Sequence, residues 1–131
     1  MHQRLRPTAL TALLAAGAVA GVFAAAATAD RTPQATRVTV AASEFKFTPR
    51  KLTATEGVVV IKLANRGKVV HDLRVAGKKT PRIGPGKTAT LRFGNLAAGT
   101  YRFICTVPGH AALGMRGTLT VTEPQGETTE G

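Results

Sequence analysis

One cysteine, Cys105, stands in 131 residues, and tryptophan is absent. A lone cysteine excludes a disulfide framework within the chain. It leaves a bridge to a second chain, an exposed reactive thiol, a metal ligand, or simply a small buried apolar side chain. Acidic residues are also scarce, 7 against 18 Lys and Arg, for a formal net charge of +11. Such a field favours an acidic protein or an anionic surface as partner. The basic residues are scattered through the chain without the clustered stripe of a nucleic-acid binder, so no nucleic-acid partner is expected. Aromatic residues are few, so Phe45, Phe47, Phe93, Tyr101 and Phe103 are expected to carry much of the core. Beyond residue 29 no stretch sustains a helical period, and no internal repeat is visible.

What is there begins with an export pattern. Arg4 and Arg6 precede an apolar Ala/Leu/Val stretch from Ala9 to Ala27, and Ala27-Thr28-Ala29 supplies the small-x-small pattern of a signal-peptidase site. Residues 1–29 therefore read as a signal peptide cleaved after Ala29. An uncleaved anchor is the competing reading, because the run approaches the roughly 20 residues that span a bilayer. Either way the domain is extracytoplasmic: periplasmic, envelope-bound or secreted. Cleavage removes Arg4 and Arg6 and no acid, which lowers the formal charge from +11 to +9. Residues 30–36 read as a flexible tether, 37–123 as one domain and 124–131 as a polar tail.

Within 37–123, short apolar runs bounded by Gly, Pro and Asn recur at Arg37–Ala41, Glu44–Thr48, Leu52–Thr55, Val58–Ala64, His71–Val75, Lys87–Phe93, Thr100–Cys105 and Gly117–Thr122. Seven or eight short strands at this spacing predict an all-β fold, a two-sheet antiparallel β-sandwich. Tyr101 and Phe103 point to one side of their strand, which places Cys105 on that same core-facing side where a loop begins.

After residue 29 the chain holds two histidines and one methionine besides the cysteine, and three of these four residues lie within Cys105–Met115, spaced C-x4-H-x4-M. Pro108-Gly109 folds the chain between Cys105 and His110. The fourth, His71, begins a strand after the polar turn Asn65–Lys68, and a sandwich brings such a strand end beside the cysteine loop. Thiolate plus two imidazoles, with a weak axial thioether, is the donor set of a blue-copper electron-transfer site. Taken singly, each residue reads as core filler or a surface histidine. Zinc competes for Cys and two His, but the methionine argues against it.

Ser43 to Val121 resembles the cupredoxins, the blue-copper family. The resemblance rests on Glu44-Phe45-Lys46-Phe47-Thr48-Pro49, Asn65, His71-Asp72, Gly99–Cys105, Pro108-Gly109-His110 and Gly114–Gly117. The ligand loop is most similar to those of rusticyanin and auracyanin, with plastocyanin- and azurin-like spacings in its two halves. The resemblance implies a Greek-key sandwich binding one copper at one end through His71, Cys105, His110 and Met115, and one-electron transfer as the activity. It also implies a hydrogen bond between Asp72 and Thr106 across the two ligand loops. Asp72 departs from the family's usual Asn, adding negative charge that favours Cu(II). Val70 stands where azurin has a glycine, which puts a fifth, carbonyl contact in doubt.

The leading functional expectation is an exported blue copper protein that carries one electron, a monomer whose copper cycles between Cu(I) and Cu(II). Its partner is a redox protein, acidic by charge complementarity, with an anionic membrane surface as a peripheral contact. Pro108, Ala111, Ala112 and Leu113 are expected to form an apolar rim beside His110. The alternative is a copper-binding protein for trafficking, storage or sensing without redox turnover. An enzyme is not expected, since a substrate-binding copper needs further His ligands and none remain.

Overall fold

The structure, a computed structural model, describes residues 16–18, 21 and 34–126. Most of the expected signal segment with its cleavage point, most of the tether and the end of the tail lie outside the described residues. Among the described residues nine strands follow in order: β1 Thr36–Ser43, β2 Lys46–Thr48, β3 Lys51–Thr55, β4 Gly57–Asn65, β5 Arg74–Val75, β6 Lys78–Lys79, β7 Thr88–Leu96, β8 Gly99–Ile104 and β9 Arg116–Thr122. They form a four-stranded sheet ordered β2-β1-β4-β7 and a five-stranded sheet ordered β3-β9-β8-β5-β6.

The sandwich is the expected one, but its pairing is mixed rather than antiparallel throughout. β1 runs parallel to β4, and β3 parallel to β9. Period-2 alternation reports which face a strand buries and says nothing of the direction of its neighbour, so sequence pattern cannot distinguish the two. Three further differences are local, the first being the two-residue strand β6 at Lys78–Lys79, where no apolar run stands. The run His71–Val75 is a strand only at Arg74–Val75, with His71 held by an isolated bridge to Ile83. Glu44 and Phe45 form the turn between β1 and β2 rather than the start of a strand.

Alternating side chains from both sheets meet in one core. Val40 and Ala42 of β1, Val59, Ile61 and Leu63 of β4, and Leu91 and Phe93 of β7 face Leu52, Val75, Phe103, Leu119 and Val121. Phe47 and Phe103 bridge the layers edge to face, with ring centroids 5.3 Å apart. Truncating either to alanine is expected to cost about 3–5 kcal/mol. Cys105 and Met115 belong to this same core cluster. Phe45 does not; it is 36% exposed. Its turn position carries it out of the core and onto the ring of His110, at a centroid distance of 4.9 Å.

Candidate metal centre

Two loops at one end of the sandwich bring the sulfur and imidazole groups together. The first follows β8, whose alternation buries Phe103 and then Cys105. The loop closes on itself: the His110 N–H donates to Val107 O at 3.1 Å, Met115 N–H to His110 O at 3.1 Å, and Cys105 N–H to Met115 O at 3.1 Å. Pro108 and Gly109 occupy the centre of the Val107–His110 turn. Proline presets the first φ, and Gly109, at φ 83°, takes the left-handed position that a side chain resists. Three of the four sequence-expected ligands are therefore tied together by the loop's own backbone.

The second loop, residues 66–70, is held from outside. Asn65, 2% exposed, donates from Nδ2 to Val69 O (2.9 Å) and Ile83 O (2.8 Å) and accepts the Gly67 N–H at Oδ1 (2.9 Å). Ile83 in turn exchanges two backbone hydrogen bonds with His71. Asn65 thus sets both the loop before His71 and the segment beside it. Its side chain carries more hydrogen bonds than the sequence suggested; an Asn ending an apolar strand was the available signal.

The outcome is a buried group of donors. One ligand atom from each of His71, Cys105 and His110 lies within 4.8 Å of the others. His71 Nδ1 is 3.2 Å from His110 Nδ1, which is 3.6 Å from Cys105 Sγ. His71 and Met115 are fully buried and His110 is half-buried. The remaining nitrogen of His71, Nε2, lies 3.1 Å from Glu44 Oε1, which also accepts the N–H groups of Lys68 (2.7 Å) and Val69 (3.1 Å). The Lys68 N–H first, with Val69 and His71, outweighs desolvation and holds the Glu44 carboxyl down at about 2. Glu44 belongs to the resemblance, which implies no part for it in the site. Only the fold brings it to a histidine 27 positions away.

Asp72 makes the expected link between the loops. Its carboxylate accepts the Thr106 N–H at 2.6 Å and the Thr106 hydroxyl at 2.5 Å. It is fully buried, and Arg82 Nε stands 3.7 Å away. The guanidinium offsets part of the negative charge expected from an Asp at this position.

These residues fit a soft, thiolate-binding metal ion. An ionised carboxylate only accepts, so the Nε2 facing Glu44 carries the proton and His71 presents a lone pair at Nδ1. That lone pair faces His110 Nδ1, so either a proton or a cation must lie between them. Burial pushes the Cys105 thiol above its ordinary value. Burial first, then the neighbouring His71, holds His110 below its own. The thiol is consequently neutral in the metal-free site, and His110 carries no extra proton. A metal would release only the thiol proton, and the proton lying between the rings would move to the outer nitrogen of His110.

A fold and donor set of this kind define a class, and the comparison with known proteins agrees. Residues 12–121 match the family described as "Cupredoxin-like domain", and the chain belongs to that family. Among its relatives, Auracyanin-B of Chloroflexus aurantiacus is 49% identical over 43 residues, covering 33% of this chain and 18% of that protein. The matched segment thus spans less than a fifth of that relative. The dithionite-reduced auracyanin of Roseiflexus castenholzii superposes with a TM-score of 0.61 at 25% identity, over 66% of this chain and 97% of that one. Auracyanin A of Chloroflexus aurantiacus, described as a "blue" copper protein, gives 0.60 at 25% identity over 68% and 100%.

Proposed function

We propose that this chain is a type 1 (blue) copper protein that carries single electrons, with His71, Cys105, His110 and Met115 as ligands to one copper. The observation carrying this reading is the buried convergence of the His71, Cys105 and His110 donor atoms within 4.8 Å in a cupredoxin-like sandwich. Met115 completes the set from the same loop, its backbone bonded to both Cys105 and His110. When bound, copper supplies a one-electron exchange between Cu(I) and Cu(II). The protein's part is to keep donor positions fixed through that exchange. The closed loop 105–115, the Asp72–Thr106 link and the Asn65 network all serve that rigidity.

The large apolar side chains exposed among the described residues are Phe45, Val69, Val70 and Leu113. Val69, Val70 and Leu113 lie on the loops that carry His71 and His110, and Phe45 packs against the His110 ring. They widen the expected rim beyond Pro108, Ala111, Ala112 and Leu113. A rim of this kind excludes water and lets a partner approach the half-buried His110. The partner is a redox protein, acidic because the chain is strongly basic. The protein is a monomer, exported after cleavage behind Ala29. It is a carrier rather than an enzyme, because the three histidines of the chain, His2, His71 and His110, leave none for a second copper. Among the described residues no helix is long and apolar enough to cross a membrane.

Titrating the purified domain with Cu(II) tests the reading. One equivalent should produce an intense visible band from thiolate-to-copper charge transfer, and ascorbate should bleach it without releasing metal to a moderate chelator. A colourless complex would remove the blue-copper assignment, and release on reduction would assign a trafficking role instead.

A further inference from the structure

We propose that Glu44 is a positioning residue of the metal centre: its carboxylate clamps the outer nitrogen of His71, selects the tautomer that faces the metal and tilts the site toward Cu(II). The proposal rests on the copper reading above.

Three observations carry it. The first is convergence: one oxygen, Oε1, accepts from Lys68 N, Val69 N and His71 Nε2. A single acceptor shared by a ligand and by the loop that precedes it couples the position of the ring to that loop. The second is space. Gly67 does not need its glycine for a left-handed backbone. A Cβ there would overlap Glu44 Oε1 and come within 2.9 Å of His71 Nε2. The absent side chain makes room for the carboxylate–imidazole contact. The third is burial. His71 is fully enclosed, and the Glu44 side chain is 30% exposed, so the contact is poorly screened on the imidazole side.

The consequences follow from elementary chemistry. A carboxylate accepting the Nε2 proton leaves the lone pair on Nδ1 and makes the imidazole a stronger donor. Stronger donation and a nearby negative charge both favour the more highly charged metal ion. Asp72 contributes a second carboxylate but has Arg82 beside it, whereas the groups on Glu44 Oε1 are two neutral amides and the ligand itself. Glu44 is therefore the less compensated of the two charges.

The test uses Glu44→Gln and Gly67→Ala. The first keeps an acceptor for the loop amides and removes the charge; the second keeps the charge and displaces it. In both, the blue band should persist while the preference for Cu(II) over Cu(I) falls about tenfold, which raises the reduction potential by about 59 mV. In the metal-free protein, nitrogen NMR should show His71 with its proton on Nε2, and a mixture of tautomers in Gly67→Ala. The tautomer readout stands even if copper binding does not, so failure of the copper reading and failure of this one are distinguishable. Should both variants lose only thermal stability, with tautomer and potential unchanged, Glu44 is merely a loop tie and the proposal is wrong.

Discussion

The two loops that make the metal centre reach the same end by opposite means. Cys105–Met115 holds Cys105, His110 and Met115 in place by bonds within eleven residues, from the Val107–His110 turn to the Cys105–Met115 backbone contact. Residues 65–71 supply a single donor, and its placement depends on Ile83, Glu44 and Asn65. A self-closed loop needs only to be attached to its strands. An externally held one is correct only when the rest of the sandwich is. Most of the cost of building the site therefore falls on the His71 side, while the defining chemistry sits on the Cys105 side.

That contrast yields ordered expectations. The largest effect lies in the chemistry: Cys105→Ser should abolish the charge-transfer band entirely while leaving the fold, as judged by circular dichroism, in place. Asn65→Ala should come next. It strips a buried side chain that makes three hydrogen bonds, at about 2–3 kcal/mol in chemical denaturation, and should weaken copper binding through His71. Gly109→Ala should cost less, about 1–2 kcal/mol, because it strains one left-handed residue in a loop with its own supporting bonds. If Gly109→Ala proved the more damaging, the comparison would be reversed.

Proton linkage separates the loops further. Because the Cys105 thiol is held above its ordinary value, metal uptake by the apo domain should release that proton. Its apparent affinity should drop about tenfold per pH unit on acidification, measured by competition with a chelator. His110, held below 6.5, should add no competition until the solution is more acidic than that. The 65–71 side should instead register in stability. Glu44 has its carboxyl lowered from 4.5 to about 2, so its contribution is complete above about 4.5 and lost as pH falls toward 2. A urea midpoint followed across that window should fall less in Glu44→Gln than in the parent. The smallest expected effect is that of Leu113→Lys. Leu113 is 64% exposed, so the visible spectrum should barely change while electron exchange with a partner slows.

The closed loop from Cys105 to Met115 was legible from the chain because its spacing is short and its turn is written in Pro108 and Gly109. The inward direction of Cys105 followed from Tyr101 and Phe103, since alternation along a strand is a local property. The sandwich architecture was legible too, from the rhythm of short apolar runs. Asn65 and Asp72 could be picked out only through likeness to a family, and His71 only as the one other histidine after residue 29. What each one touches depends on segments far along the chain.

Local pattern by itself therefore determined most of the strands, the cysteine loop and the kind of metal that loop favours. These depend on residue types and on spacings of a few positions. Tertiary structure alone decided that β1 lies parallel to β4 and β3 to β9, that His71 is bridged to Ile83, and that Glu44 closes on His71. Those contacts form between segments far apart in the chain, whose sequences carry no mark of each other, and they exist only once the sandwich has brought those segments together.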